Sequence, residues 1–246
     1  MYKRVTVLSE NIFEVKTYDR LNIKGGGDKS DVEKGQGICN ETNYETRQKM
    51  RRTKVRQLIT CNFDEHSKFI TLTFANGKID DVTDVKIANK SFRLFIERLT
   101  RHEGHKIDYV AVIEFQDSNG RGAVHYHMIA DLPYIPNKIL REIWGNGYVT
   151  INDITKVDNV GAYVIKYMTK DIDDNRLQGL KAYNCSLGLK RPETLDSWVS
   201  IDSVACNQLI ETLQSKTPVY SAKYTSEECG NITFNQYNFN RKKTQE

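Results

Sequence analysis

The chain has 246 residues, 39% hydrophobic and 28% charged, with a formal net charge of +4. That is enough chain for one sizeable domain with extensions, and it excludes collagen-like, disordered and disulfide-stapled classes. No apolar run approaches the roughly 20 residues of a membrane span, and the start, MYKRVTVLSENIFEVK, has no apolar stretch of signal-peptide length. Five scattered cysteines, never in C-x-x-C spacing, read as reduced thiols rather than a disulfide framework or zinc site. The expectation is a cytoplasmic protein without membrane contact.

In chain order, residues 1–23 carry β-branched residues in loose alternation, enough for a strand. Residues 24–37, KGGGDKSDVEKGQG, combine glycine and charge with almost nothing apolar and read as a linker. GGGDKS lacks the spacing of a phosphate loop, so no nucleotide site is expected. Residues 41–58 look helical, and RQKMRRTKVR (47–56) holds six basic residues and no acidic one. Arg47, Lys49, Arg51, Arg52, Lys54 and Arg56 therefore form a candidate phosphate-binding surface, the alternative being a solvated helix face.

The pattern sharpens after residue 68. KFITLTFA (68–75) has strand composition. Val85, Ala88, Phe92, Phe95, Ile96 and Leu99 follow helical spacing, with Gly104 as a stop. DYVAVIEFQ (108–116) and GAVHYHMIADL (122–132) read as a hairpin around the turn DSNGRG. IPNKILREIW (135–144) predicts a short helix ended by Gly145, YVTINDI (148–154) a strand, and VGAYVIKYMTKD (160–171) a helix. This order predicts an α+β fold, an antiparallel β-sheet core with helices packed mainly on one face. A weaker region follows: a strand at 181–189, a helix at 202–214 and a hairpin from PVYSAKYT and NITFNQYNF. Three parts are expected: an N-terminal extension and linker (1–40), a central domain opening on the basic helix (41–175), and an accessory region (176–246).

The chemistry concentrates in the hairpin. Successive side chains on a strand alternate between faces, so His125 and His127 stand together while Val124, Tyr126 and Met128 take the other side. Two imidazoles on a rigid sheet suit a divalent ion, although His-x-His also arises by accident or as a structural pair. On the neighbouring strand Glu114 is a carboxylate near the turn, placed to join them as a third ligand. On the later helix Tyr163 and Tyr167 are four apart, each followed three residues later by a lysine, Lys166 and Lys170. Such tyrosines are packing residues in an average helix; beside a metal site their oxygens are candidate nucleophiles and the ammonium groups candidate partners for phosphate charge.

FITLTF, EF followed by HYH, and Tyr-x-x-Lys-Tyr appear in the same order as three motifs of rolling-circle replication initiators. The stretch 68–171 thus resembles the nuclease domain of plasmid and small-phage initiators with two tyrosines, within the superfamily named for its His–hydrophobic–His (HUH) motif. The resemblance implies that His125 and His127, with Glu114, bind Mg2+ or Mn2+. It implies that Tyr163 and Tyr167 attack single-stranded DNA at a replication origin, and that a host helicase and polymerase are partners. The sequence does not rank the tyrosines, though Tyr163 lies nearer the helix start. The same chemistry would serve a relaxase or transposase, and an inert site would leave a DNA-binding regulator. The aromatics of the last hairpin (Tyr220, Tyr224, Phe234, Tyr237, Phe239) read either as core or as a surface for stacking on unpaired bases.

Overall fold

A computed structural model describes residues 1–20, 41–117, 120–168, 174–181, 183–198, 203–226 and 229–239; the side chains of 41–48 and of 168 lie outside that description. So do the expected linker at 24–37 and its GGGDKS segment. The elements in chain order are β1 (Tyr2–Val7), β2 (Ile12–Tyr18), α1 (Glu41–Asn62), β3 (Lys68–Phe74), α2 (Val85–Glu103), β4 (Tyr109–Gln116), β5 (Ala123–Ala130), α3 (Asn137–Trp144), β6 (Gly147–Asn152) and α4 (Val160–Met168). They continue with β7 (Tyr183–Cys185), β8 (Glu193–Asp196), α5 (Ser203–Gln214), β9 (Tyr220–Ser226) and β10 (Gly230–Asn238). The described strands form two five-stranded sheets, antiparallel throughout, which makes the fold α+β. No helix among the described residues is long and apolar enough to cross a membrane.

The chain divides into two compact units, Met1–Tyr44 with Arg191–Glu246, and Glu45–Lys190. In the first, the strand order is β8-β1-β2-β10-β9. The beginning and end of the chain, separate segments in the sequence reading, are thus strands of one sheet. Helix α5 closes its core by placing Cys206, Ile210 and Leu213 among Val5, Phe13, Val15 and Tyr237. Of the hairpin aromatics, Tyr237 is buried, whereas Tyr220, Tyr224 and Phe239 are exposed. Both readings of that hairpin therefore hold in part.

The second unit is built on the order β6-β3-β5-β4-β7. One face packs on α2 and α3. Asp84 caps α2 by accepting from the backbone N–H groups of Lys86 (2.7 Å) and Ile87 (3.2 Å), and Gly104, in the left-handed region that glycine adopts without strain, ends it. Between those caps Val85, Ala88, Phe92, Phe95 and Leu99 sink into a core shared with Ile70, Leu72, Phe74, Tyr126, Met128 and Trp144. Trp144, wholly buried, donates its indole N–H to the Thr73 carbonyl (3.1 Å) and packs on Phe74 at 4.9 Å. Tyr126 stacks on Phe92 at 4.4 Å and donates its hydroxyl to Asn89 Oδ1 (2.9 Å).

The opposite face is also covered at one end, where the sequence reading expected helices mainly on one side. Val55, Leu58 and Ile59 of α1 and Val160 and Val164 of α4 pack over Phe69, Val110, Val112 and Ile129. In α1 the stripe is only two turns long and follows a basic surface, so the composition of the helix hid its packing face. The two helices approach at Gly161, where a Cβ would lie 2.0 Å from Thr60 Oγ1 and 2.8 Å from the Arg56 carbonyl oxygen. Glycine is required there by the contact, not by backbone angle. Strand β7 pairs with β4 in this sheet, so the segment at 181–189 builds on the central unit rather than on the C-terminal one.

Candidate active site on the open sheet face

Register assembles the site. Glu114, His125, Thr73 and Tyr148 are cross-strand partners, one row over β4, β5, β3 and β6. The next row holds Val112, His127, Thr71 and Thr150, and the third Val110, Ile129, Phe69 and Asn152. The third row is roofed by α1 and α4, which leaves the first two as a polar patch beside an apolar wall. The alternation expected from His125-Tyr126-His127 is observed: Tyr126 is fully buried on the other face and both histidines lie on the open one.

The polar groups interlock. His127 Nε2 contacts Glu114 Oε2, and Nδ1 of the same ring lies 3.1 Å from Thr71 Oγ1. One assignment satisfies both: the Thr71 hydroxyl donates to Nδ1 and the Nε2–H donates to Glu114. His125 Nε2 lies 3.0 Å from Gln116 Oε1, which also accepts from Arg121 Nη1 (3.3 Å). Arg121 Nη2 donates in turn to the Phe74 carbonyl (2.7 Å) and to Asn76 Oδ1 (2.8 Å). Burial first, then neighbouring His127 and Arg121, push the His125 imidazole below its ordinary value, with Glu114 opposing. A neutral imidazole has a lone pair to give, which is the form a metal needs.

The donor chemistry fits a divalent ion: two imidazoles, a carboxylate and an amide oxygen on one face. Their arrangement is self-paired, and among the described residues no group of three or more His, Cys, Asp and Glu side chains is set to hold an ion. His125, His127 and Glu114 are therefore together on the sheet, with Glu114 bonded to His127 and His125 bonded to Gln116.

The tyrosines arrive from α4. The rings of Tyr163 and Tyr167 are 5.4 Å apart, and Phe69 bridges to the histidines, 5.9 Å from Tyr167 and stacked on His127 at 6.0 Å. Tyr167 is half exposed, while Tyr163 packs against the α1–α4 cluster. A hydrogen bond with Tyr167, and then the charge Tyr167 would carry, raise the Tyr163 phenol above its ordinary value. Tyr163 thus stays a neutral phenol longer. Lys166 is exposed, and Lys170 lies outside the described residues.

A clamp holds the hairpin end. Arg176 donates to both oxygens of Asp117 (2.9 and 2.7 Å) and of Asp174 (2.8 and 2.7 Å), with its guanidinium 3.7 Å from the centroid of the Phe115 ring. It thereby ties residue 174, six positions beyond the end of α4, to the strand that carries Glu114. Of the basic block, Lys49, Arg51, Arg52 and Lys54 are exposed and Arg56 is half-buried; the side chain of Arg47 is outside the description.

Sequence reasoning missed Gln116, Arg121, Thr71 and Tyr148. Gln116 continues the alternation Val112, Glu114 and was legible from it. Arg121 sat within what read as turn chemistry, and Thr71 and Tyr148 join only through pairing distant in sequence.

Fold and site together define an α+β protein whose open sheet face sets two histidines and a carboxylate beside a helix bearing two tyrosines. A family model for replication-associated proteins, the group typified by ORF2 and the gene 2 protein, matches residues 67–172, the stretch from β3 through α4. That match supports a replication initiator, a DNA replication protein with DNA as its partner. Searches of curated proteins and of solved structures returned no match.

Proposed function

We propose that the chain is a two-tyrosine endonuclease of the HUH superfamily that nicks and rejoins single-stranded origin DNA in rolling-circle replication. The observation that carries this reading is Phe69, in contact with both His127 and Tyr167, which puts the tyrosine helix against the histidine face. His125, His127 and Glu114 would hold Mg2+ or Mn2+, with Gln116 beside them. A bound ion would supply Lewis-acid polarisation of the phosphate oxygens.

The chain's own residues do the rest. A tyrosine oxygen forms a bond to the scissile phosphorus while the bond to the 3′-oxygen breaks, in line. The phenol gives up its proton and the departing oxygen takes one up, leaving a 5′-phosphotyrosyl link and a free 3′-hydroxyl. The link keeps the phosphodiester energy, so the reverse transfer needs no external source. Tyr163, held as a phenol, is placed to donate to Tyr167 and favour its phenolate. Lys166, with Lys170, offsets phosphate charge, and the basic surface of α1 (Arg47, Lys49, Arg51, Arg52, Lys54, Arg56) contacts the backbone. In the cytoplasm, a host helicase and a polymerase extending the 3′-hydroxyl would be the partners.

The test is a denaturation-resistant adduct between the protein and labelled single-stranded origin DNA in Mn2+ or Mg2+. Adduct in the wild type and none in Tyr163→Phe/Tyr167→Phe is expected; adduct in that double variant overturns the nucleophile assignment.

A further inference from the structure

We propose that Tyr148 and Arg141 form a base-stacking shelf at the sheet edge, which holds an unpaired DNA base beside the scissile phosphate. This rests on the reading above and adds to it a binding subsite.

Tyr148 belongs to the same cross-strand row as Thr73, His125 and Glu114. It sits two strand spacings from His125, about 10 Å along the row. Strand β6 ends the sheet order, so among the described strands none lies beyond it. The ring is 58% exposed, although its neighbour Val149 is buried in the core of the other face. The strand is thus anchored from one side and presents an aromatic ring on the other. Its companions on the open face, Thr150 and Asn152, are small and polar, so the tyrosine completes no apolar cluster there.

Arg141, on α3, reaches round the edge and sets its guanidinium 4.9 Å from the Tyr148 ring centroid. That contact fixes a flexible side chain against an exposed ring and brings a positive charge to the spot. An aromatic face plus a guanidinium is the chemistry that receives an unpaired base and its phosphate, and it tolerates any base because every base has a π-face. The row geometry then has a direct meaning: a strand whose scissile phosphate lies over His125 and Glu114 passes a neighbouring base over Tyr148.

Binding is measured without chemistry, in EDTA, with fluorescein-labelled oligothymidylate at low salt. Tyr148→Ala is expected to weaken binding about ten-fold or more, in the range seen for loss of one base–aromatic stack. Tyr148→Phe should bind as the wild type, and Arg141→Ala should bind more weakly with a shallower salt dependence. Tyr134→Ala, which removes a tyrosine that is 85% exposed, should change nothing. A 5-iododeoxyuridine oligonucleotide should photocrosslink to the peptide bearing Tyr148. Wild-type affinity for Tyr148→Ala, equal weakening by Tyr134→Ala, or a crosslink confined to other peptides overturns the shelf. Because no cleavage is read, the shelf fails or stands apart from the nuclease reading, which the adduct assay decides.

Discussion

Replacing Gly161 by alanine reverses the usual sign of a helix substitution. Alanine inside a helix is favoured over glycine by about 1 kcal/mol, so an α4 free of neighbours would gain stability. Here the added methyl would lie 2.0 Å from Thr60 Oγ1 and 2.8 Å from the Arg56 carbonyl oxygen. The Thr60 hydroxyl donates to that same carbonyl at 2.9 Å, so moving it aside costs a hydrogen bond of about 1 kcal/mol, and the carbonyl is backbone. Overpacking of this kind costs roughly 1–3 kcal/mol, and α4 must move away from α1, carrying Tyr163 and Tyr167 with it. Gly161→Ala is therefore expected to lower the urea midpoint by a net of about 1–2 kcal/mol with unchanged m, and to slow adduct formation. In Thr60→Ala/Gly161→Ala the nearest atom is gone, and the double variant should be more stable than the sum of the single changes, a coupling of about 0.5 kcal/mol or more. A Gly161→Ala protein stabilised by about 1 kcal/mol would refute the close approach of α1 and α4.

Trp144→Ala removes a wholly buried indole and its bond to Thr73, and urea unfolding should show a loss of about 3–5 kcal/mol; a loss under 1 kcal/mol would mean that Trp144 does not anchor the sheet. Lys49→Ala and Lys54→Ala, both on the exposed side of α1, should each reduce the slope of log binding constant against log salt for single-stranded DNA by about 0.7. Unchanged slopes would remove α1 from the DNA surface. Chelation with EDTA should abolish adduct formation and Mn2+ or Mg2+ restore it; full-rate adduct in EDTA would deny His125, His127 and Glu114 a metal-binding role.

Local periodicity made the central unit legible. Strands β3, β4 and β5, the helix with Phe92, Phe95 and Leu99 on one stripe, and the facing of His125 and His127 follow from alternation or helical spacing within a dozen residues. What escaped depends on contacts between distant segments. Tyr148 joins the His125 row only through β3, and Thr71 meets His127 across 56 residues. Strands β1 and β2 pair with β8 and β10 nearly 200 residues away, which no local pattern encodes. The second helical layer hid because α1 spends most of its length on basic residues and only Val55, Leu58 and Ile59 on the core. The site residues fell on one face as their alternation required, but the partner of each donor, Glu114 on His127 and Gln116 on His125, was set by cross-strand geometry.

Peptide mapping of the covalent product tests the central claim most directly. After reaction with labelled single-stranded origin DNA and nuclease trimming, mass spectrometry should find the 5′-phosphonucleotide on the peptide that contains Tyr163 and Tyr167, on Tyr167 in the Tyr163→Phe variant. A nucleotide on any other residue, or cleavage that leaves the protein unmodified under these conditions, would contradict it.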